Sequence, residues 1–160
     1  HHDADEIRRS PRPGETLREA FERIDAEGYN AVDHTVYQFH PTDDLYAGDP
    51  EKHFQYYDRT TVDNGLPHIK AWKNVGKVFI MSGGHMARFG GMCVYPEKFI
   101  LKHYPIRGSE HGERKVLRER MERYDPVERA WQWHVQYDDI AITRDWIKDP
   151  ATLTKWESPL

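Results

Sequence analysis

Between Glu15 and Glu27 the apolar residues Leu17, Ala20, Phe21 and Ile24 recur on one helical face, and Gly28 follows as a stop. From Asn30 to Phe39 the pattern switches to alternation. Val32 and Val36 fall with His34 on one side, and Ala31, Asp33, Thr35, Tyr37 and Phe39 on the other, which predicts a strand. His40 to Pro50, rich in Pro, Asp and Gly, predicts a loop, and Glu51 to Asp58 a short helix carrying Phe54 and Tyr57. His68–Lys73 and Lys77–Ser82 read as two strands of a hairpin around Asn74-Val75-Gly76. Phe99–Tyr104 reads as a further strand.

Ser109 to Tyr124 predicts a charged helix, with Ser109 as N-cap and Val116, Leu117 and Met121 as its apolar face. Pro126 opens a second helix running to Trp131 or Trp133. The tail after Asp138 is short and mixed, with Trp146 and Trp156 as docking anchors. At the other end, His1 to Ile7 reads as a strand end breaking into the loop Ser10-Pro11-Arg12-Pro13-Gly14. Alternating strands and helices predict an α/β fold, a mixed sheet with flanking helices. Few strands precede the first helix, so part of a larger fold is expected.

Composition narrows the function classes. With 12% aromatic and 31% charged residues, the chain has the balance of a globular protein with a polar surface. Its net charge of −4, without a Lys/Arg stripe, argues against binding nucleic acid by phosphate neutralisation. Cys93 is the single cysteine, so no disulfide forms within the chain, which fits a reducing, cytoplasmic location. No apolar run reaches membrane-span length.

Asp3 and Asp5 form a D-x-D pair. On a strand, residues i and i+2 share a face, and two carboxylates so placed can hold Mg²⁺ or Mn²⁺ beside a substrate diphosphate. The same spacing equally describes a solvated, Asp-rich turn. His103 ends a predicted strand ahead of a basic loop. Arg107 and Lys115 flank the start of the Ser109 helix, where backbone N–H groups and cations together suit a diphosphate; a solvated basic face paired with Glu110, Glu113 and Glu119 is the alternative. Ser82-Gly83-Gly84-His85 sets small residues beside an imidazole and points His85 at a substrate pocket, or forms a plain turn. Asp33, in a largely apolar strand, and Glu113, in the first helical turns, are candidates for a general base, or surface acids. Trp72, Trp131 and Trp133 suit either sugar stacking or core packing.

The run His1-His2-Asp3-Ala4-Asp5-Glu6-Ile7 resembles the D-x-D segment of a bacterial branch of the family 2 glycosyltransferases. Ile69-Lys70-Ala71-Trp72-Lys73-Asn74, Ser82-Gly83-Gly84-His85, Lys102-His103-Tyr104-Pro105-Ile106-Arg107 and His111-Gly112-Glu113-Arg114-Lys115 look like that branch in the same order, over residues 1 to about 138. The resemblance implies a partial GT-A fold. Residues 1–138 would be the acceptor-side portion starting at the D-x-D, residues 139–160 a C-terminal extension, and the Rossmann-like nucleotide half missing, so that the chain alone would be inactive.

It also implies transfer of a sugar from a nucleoside-diphosphate donor to a saccharide or other hydroxyl acceptor, in bacterial surface glycan synthesis. Mn²⁺ or Mg²⁺ would sit on Asp3 and Asp5, with His103 completing the site. The family's acceptor-side Glu-Asp pair has no match here, which leaves the base open. Two other readings compete: a metal-dependent hydrolase using His1, His2, Asp3, Asp5 and His103, and a non-catalytic carbohydrate-binding module.

Overall fold

The computed structural model describes residues 2–62, 65–74, 76–81, 84–120 and 136–157. The chain divides into two compact units, one of His1–Gln38, Asp58–His103 and Glu157–Leu160, the other of Phe39–Tyr57 and Tyr104–Trp156.

In the first unit a mixed sheet is built on β8 (Phe99–His103). Strand β1 (Glu6–Arg9) pairs with it antiparallel, Glu6 opposite His103. Strand β3 (His34–Phe39, its last residue in the second unit) pairs parallel, His34 opposite Phe99. The first four residues of β8 are buried, as expected of a central strand covered on both faces. Helix α1 (Leu17–Ala26) starts at a full capping box: Thr16 accepts from the Glu19 amide while the Glu19 carboxylate takes the Thr16 amide. Its buried face, Ala20 and Ile24, meets Val32, Tyr95 and Phe99 in one core cluster. Arg23 joins the helix to its surroundings through Glu15 at 2.8 Å and the Tyr95 hydroxyl at 2.9 Å.

Two small antiparallel pairs complete this unit. Strand β2 (Ala31–Val32) pairs with β5 (Ala71–Trp72), and β6 (Phe79–Met81) with β7 (Met86–Arg88). The sequence predicts a hairpin of 68–73 with 77–82 instead. Ala71 and Trp72 turn to Ala31 and Val32 because those are buried apolar positions, whereas Phe79, Ile80 and Met81 are exposed and offer no core to dock on. Ser82, Gly83 and Val75, part of the predicted strand end and turn, lie outside the described residues.

In the second unit, β4 (Tyr56–Asp58, its last residue in the first unit) pairs antiparallel with β9 (Thr154–Lys155). The predicted helix 51–58 is therefore only α2 (Pro50–His53) before the chain extends. Asp49 caps it and Pro50 opens it. An aromatic cluster holds these pieces: Phe39 lies 5.1 Å from Tyr104 and 5.6 Å from Trp156 between ring centres.

Helix α3 (Ser109–Gly112) continues into a π-helical stretch, Glu113–Arg120. The cap position is Gly108, not Ser109. Ser109 is instead tied by its amide and hydroxyl to Asp44, at 2.6 and 2.9 Å. Trp146, predicted as an anchor, is buried with Ile106 and Val116. It packs on Gly112 so closely that a Cβ there would meet the indole at 2.4 Å. The tail holds a helix that its composition does not predict, α4 (Gln136–Thr143). Met121, Tyr124, the helix predicted from Pro126, Trp131 and Trp133 lie outside the described residues. Among the described residues, no helix is long and apolar enough to cross a membrane.

Candidate functional site

The densest group of chemically capable side chains in the first unit gathers where β1 begins and β8 ends. The D-x-D pair does not sit on the strand. Ala4 and Asp5 form a turn, the Glu6 amide donates back to the Asp3 carbonyl at 3.3 Å, and β1 starts at Glu6. A turn breaks the period of two, and the two carboxylates take different partners. Asp3 meets Lys70, whose ammonium donates to Oδ2 at 2.6 Å. Asp5 meets His103, with Oδ2 3.7 Å from Nε2. The antiparallel register, with Glu6 opposite His103, is what carries Asp5 to that imidazole.

Lys70 is fully buried and also donates to Glu6, itself buried. Arg8 completes the group: one guanidinium nitrogen bonds Glu6 at 3.0 Å and another donates to the Lys70 carbonyl at 3.2 Å. Buried charges persist only when paired and hydrogen-bonded, and this cluster satisfies that condition with both signs. Burial by itself would raise the pKa of Asp3. The hydrogen bond and charge of Lys70 outweigh it and hold the carboxyl below its ordinary value.

His85 lies beside this cluster, its ring 5.8 Å from that of His68 and set edge to face. Burial, then the positive charge of Lys70, pushes its pKa down to about 4, so the imidazole is neutral at neutral pH. His68 is lowered too, by burial first.

Asp33, predicted as a base, has its Oδ1 taken by two backbone amides, His68 at 2.6 Å and His34 at 2.8 Å. Its Oδ2 lies 3.6 Å from the Lys98 ammonium. His34, almost fully buried, contacts the His68 carbonyl through Nδ1 at 2.9 Å. Residues 33 and 34 thus clamp the segment that delivers Lys70. Trp72 lines a cavity of about 340 Å³ with Phe21, Tyr29, Asn30, Asp25 and Lys73. It also borders a second cavity, which reaches His2, Arg8 and Lys70.

The other predicted residues belong to the second unit. The Arg107 amide donates to His111 Nδ1 at 3.2 Å, and Lys115 donates to the Pro105 carbonyl at 2.7 Å. Burial, reinforced by the charges of Lys115, Arg107 and Arg114, lowers the His111 pKa to about 4. Those three cations give this turn a positive local field. Glu113 is half-buried, with a carboxylate oxygen 3.9 Å from Arg144.

For a divalent cation the donor set can be tested on distance. Two ligands each about 2.1 Å from one ion stand at most about 4.2 Å apart. Asp5 and His103, at 3.7 Å, fall inside that limit. Carboxylate and imidazole are also the donor types that Mn²⁺ accepts. Asp3 is engaged by Lys70 through Oδ2. Among the described residues, no three His, Cys, Asp or Glu side chains are grouped to hold a metal by themselves, and His1 is not among those described.

Glu6 and Lys70 stand in two of the segments that carry the resemblance, but neither is marked there for a role of its own. Apart from that, the physical signal is a lone cation between the apolar residues Ile69 and Ala71. Comparison with protein-family models, curated proteins and solved structures returns no match for this chain.

Proposed function

We propose that this chain carries the metal and acceptor side of a glycosyltransferase. The enzyme would move a sugar from a nucleoside-diphosphate donor to the hydroxyl of a saccharide or other acceptor. The observation that carries this reading is the Asp5–His103 pair at the β1–β8 junction, within the distance two ligands of one cation can span. The resemblance of the D-x-D and Lys-His-Tyr-Pro segments to family 2 enzymes supports it.

In this proposal Asp5 and His103 hold Mn²⁺ or Mg²⁺, with Asp3 close by. When bound, the cation supplies positive charge to the departing diphosphate. The chain's own groups do the rest. His85, neutral and partly exposed, offers a hydrogen-bonding edge to substrate. Trp72 presents an aromatic wall on which the C–H face of a sugar can pack.

In the transfer the bond from the anomeric carbon to the diphosphate oxygen breaks and a bond to the acceptor oxygen forms. The acceptor proton goes to a carboxylate. Asp33, the candidate in the same unit as Asp5 and His103, would have to give up two amides and Lys98 to take it. The lone, free Cys93 fits a reducing compartment such as the cytoplasm.

The test is thermal melting of the natural protein with Mn²⁺ and a panel of nucleoside diphosphates. A ligand at one hundred times its Kd stabilises by about 2.7 kcal/mol. A rise in Tm that needs metal and one nucleotide together is expected. A rise with metal alone would favour the hydrolase, and no rise in a folded sample would withdraw the transferase.

A further inference from the structure

The acidic segment ahead of β1 has an electrostatic problem. Asp3, Asp5 and Glu6 place three carboxylates within four positions, and such residues repel one another, with the 3.3 Å Glu6 amide to Asp3 carbonyl bond set against that repulsion. Lys70 answers that problem. Its ammonium touches both Asp3 and Glu6, and it does so with no exposed surface.

The lysine is held from both sides along the chain. Two residues before it, the His68 amide is taken by Asp33 and the His68 carbonyl by His34. Immediately after it, Ala71 and Trp72 are zipped to β2. Arg8 then donates to the Lys70 carbonyl and closes the loop back to Glu6. The ammonium is therefore a fixed point, not a flexible surface charge.

We propose that Lys70 is the positioning residue of the candidate metal segment: it ties down Asp3 and Glu6 so that Asp5 is presented to His103. The inference rests on the transferase reading for the metal and adds a residue and a role to it. With Lys70 in place, the turn enters cation binding with two of its three carboxylates already fixed, and little ordering is left for Asp5. Without it, the same acids repel one another, and Asp5 must be ordered at the moment the cation binds. Partners that orient metal ligands are worth roughly 10- to 100-fold in metal affinity when removed.

The experiment is Mn²⁺ binding by electron paramagnetic resonance on the natural protein, with melting curves recorded beside it. The variant is Glu6→Gln with Lys70→Met, which removes opposite charges together and leaves Arg8 an amide oxygen to bond. Lys70→Gln alone, in which Arg8 still pairs Glu6, is measured in parallel, so the outcome does not hang on one variant folding. The expected result is a near-native melt with Mn²⁺ bound about 10- to 100-fold more weakly. Wild-type affinity in either folded variant overturns the role of Lys70 and leaves the metal reading standing. Failure of the wild type itself to bind Mn²⁺ overturns both.

Discussion

Asp33 gives the sharpest perturbation. Its Oδ1 accepts two backbone amides, at 2.6 and 2.8 Å, and its side chain is 15% exposed. Hydrogen bonds to a charged acceptor contribute about 1.5–3 kcal/mol each. Removing the acceptor in Asp33→Ala strands both donors. Partial exposure lets water recover some of that loss, which leaves a cost of about 3 kcal/mol. In a chain of this size, such a loss lowers Tm by roughly 6–12 °C. Asp33→Asn keeps a carbonyl oxygen in place and should cost about 1 kcal/mol.

Urea unfolding followed by tryptophan fluorescence reads both variants. The clamp is refuted if Asp33→Ala costs less than about 1 kcal/mol, or if Asn is as damaging as Ala. The same pair of variants decides the chemistry. A stable Asp33→Asn protein that has lost transfer would return Asp33 to the role of base.

Further outcomes follow from the same geometry. On the transferase reading, Asp5→Ala in the full-length natural protein should abolish Mn²⁺-dependent transfer with little change in Tm, and near-wild-type activity would remove Asp5 from the site. His34, held near 4 by burial against its ordinary 6.5, binds its proton less readily in the folded than in the unfolded chain. Its contribution is therefore intact above pH 6.5 and is lost as pH falls from 6.5 toward 4, up to roughly 3 kcal/mol. Urea midpoints across that window should drop, and drop less in His34→Leu. Gly112→Ala drives a methyl into the Trp146 ring, which a well-packed core resists at about 1–3 kcal/mol; an unchanged Tm would mean the indole moves freely aside.

What the chain's pattern made legible was local. The α1 face, the strand at β3 and the strand at β8 follow from periods that depend only on neighbouring residues. Pairing was less legible. The Asn74-Val75-Gly76 turn signal predicts a hairpin, but Ala71 and Trp72 pair with β2, where burial rewards them. At the candidate site, the D-x-D and His103 are visible as motifs. Their relation is not, because the Glu6–His103 register joins residues from opposite ends of the first unit. Lys70 left the weakest trace of all. A single cation in an apolar stretch has no meaning until its partners arrive from elsewhere in the chain.

That dependence has a consequence for the order of folding and for transplantation. Asp3 and Lys70 stand 67 positions apart, so their contact forms only after a long loop has closed, and the entropy of that closure must be met first. The acidic turn should be among the last parts of the first unit to acquire its native shape, with its amides exchanging through openings smaller than unfolding of the whole unit. A peptide of the first ten residues would carry the acids and not their arrangement. Grafting the motif onto another scaffold would need the segment around Lys70 as well, because half of what shapes it is encoded there.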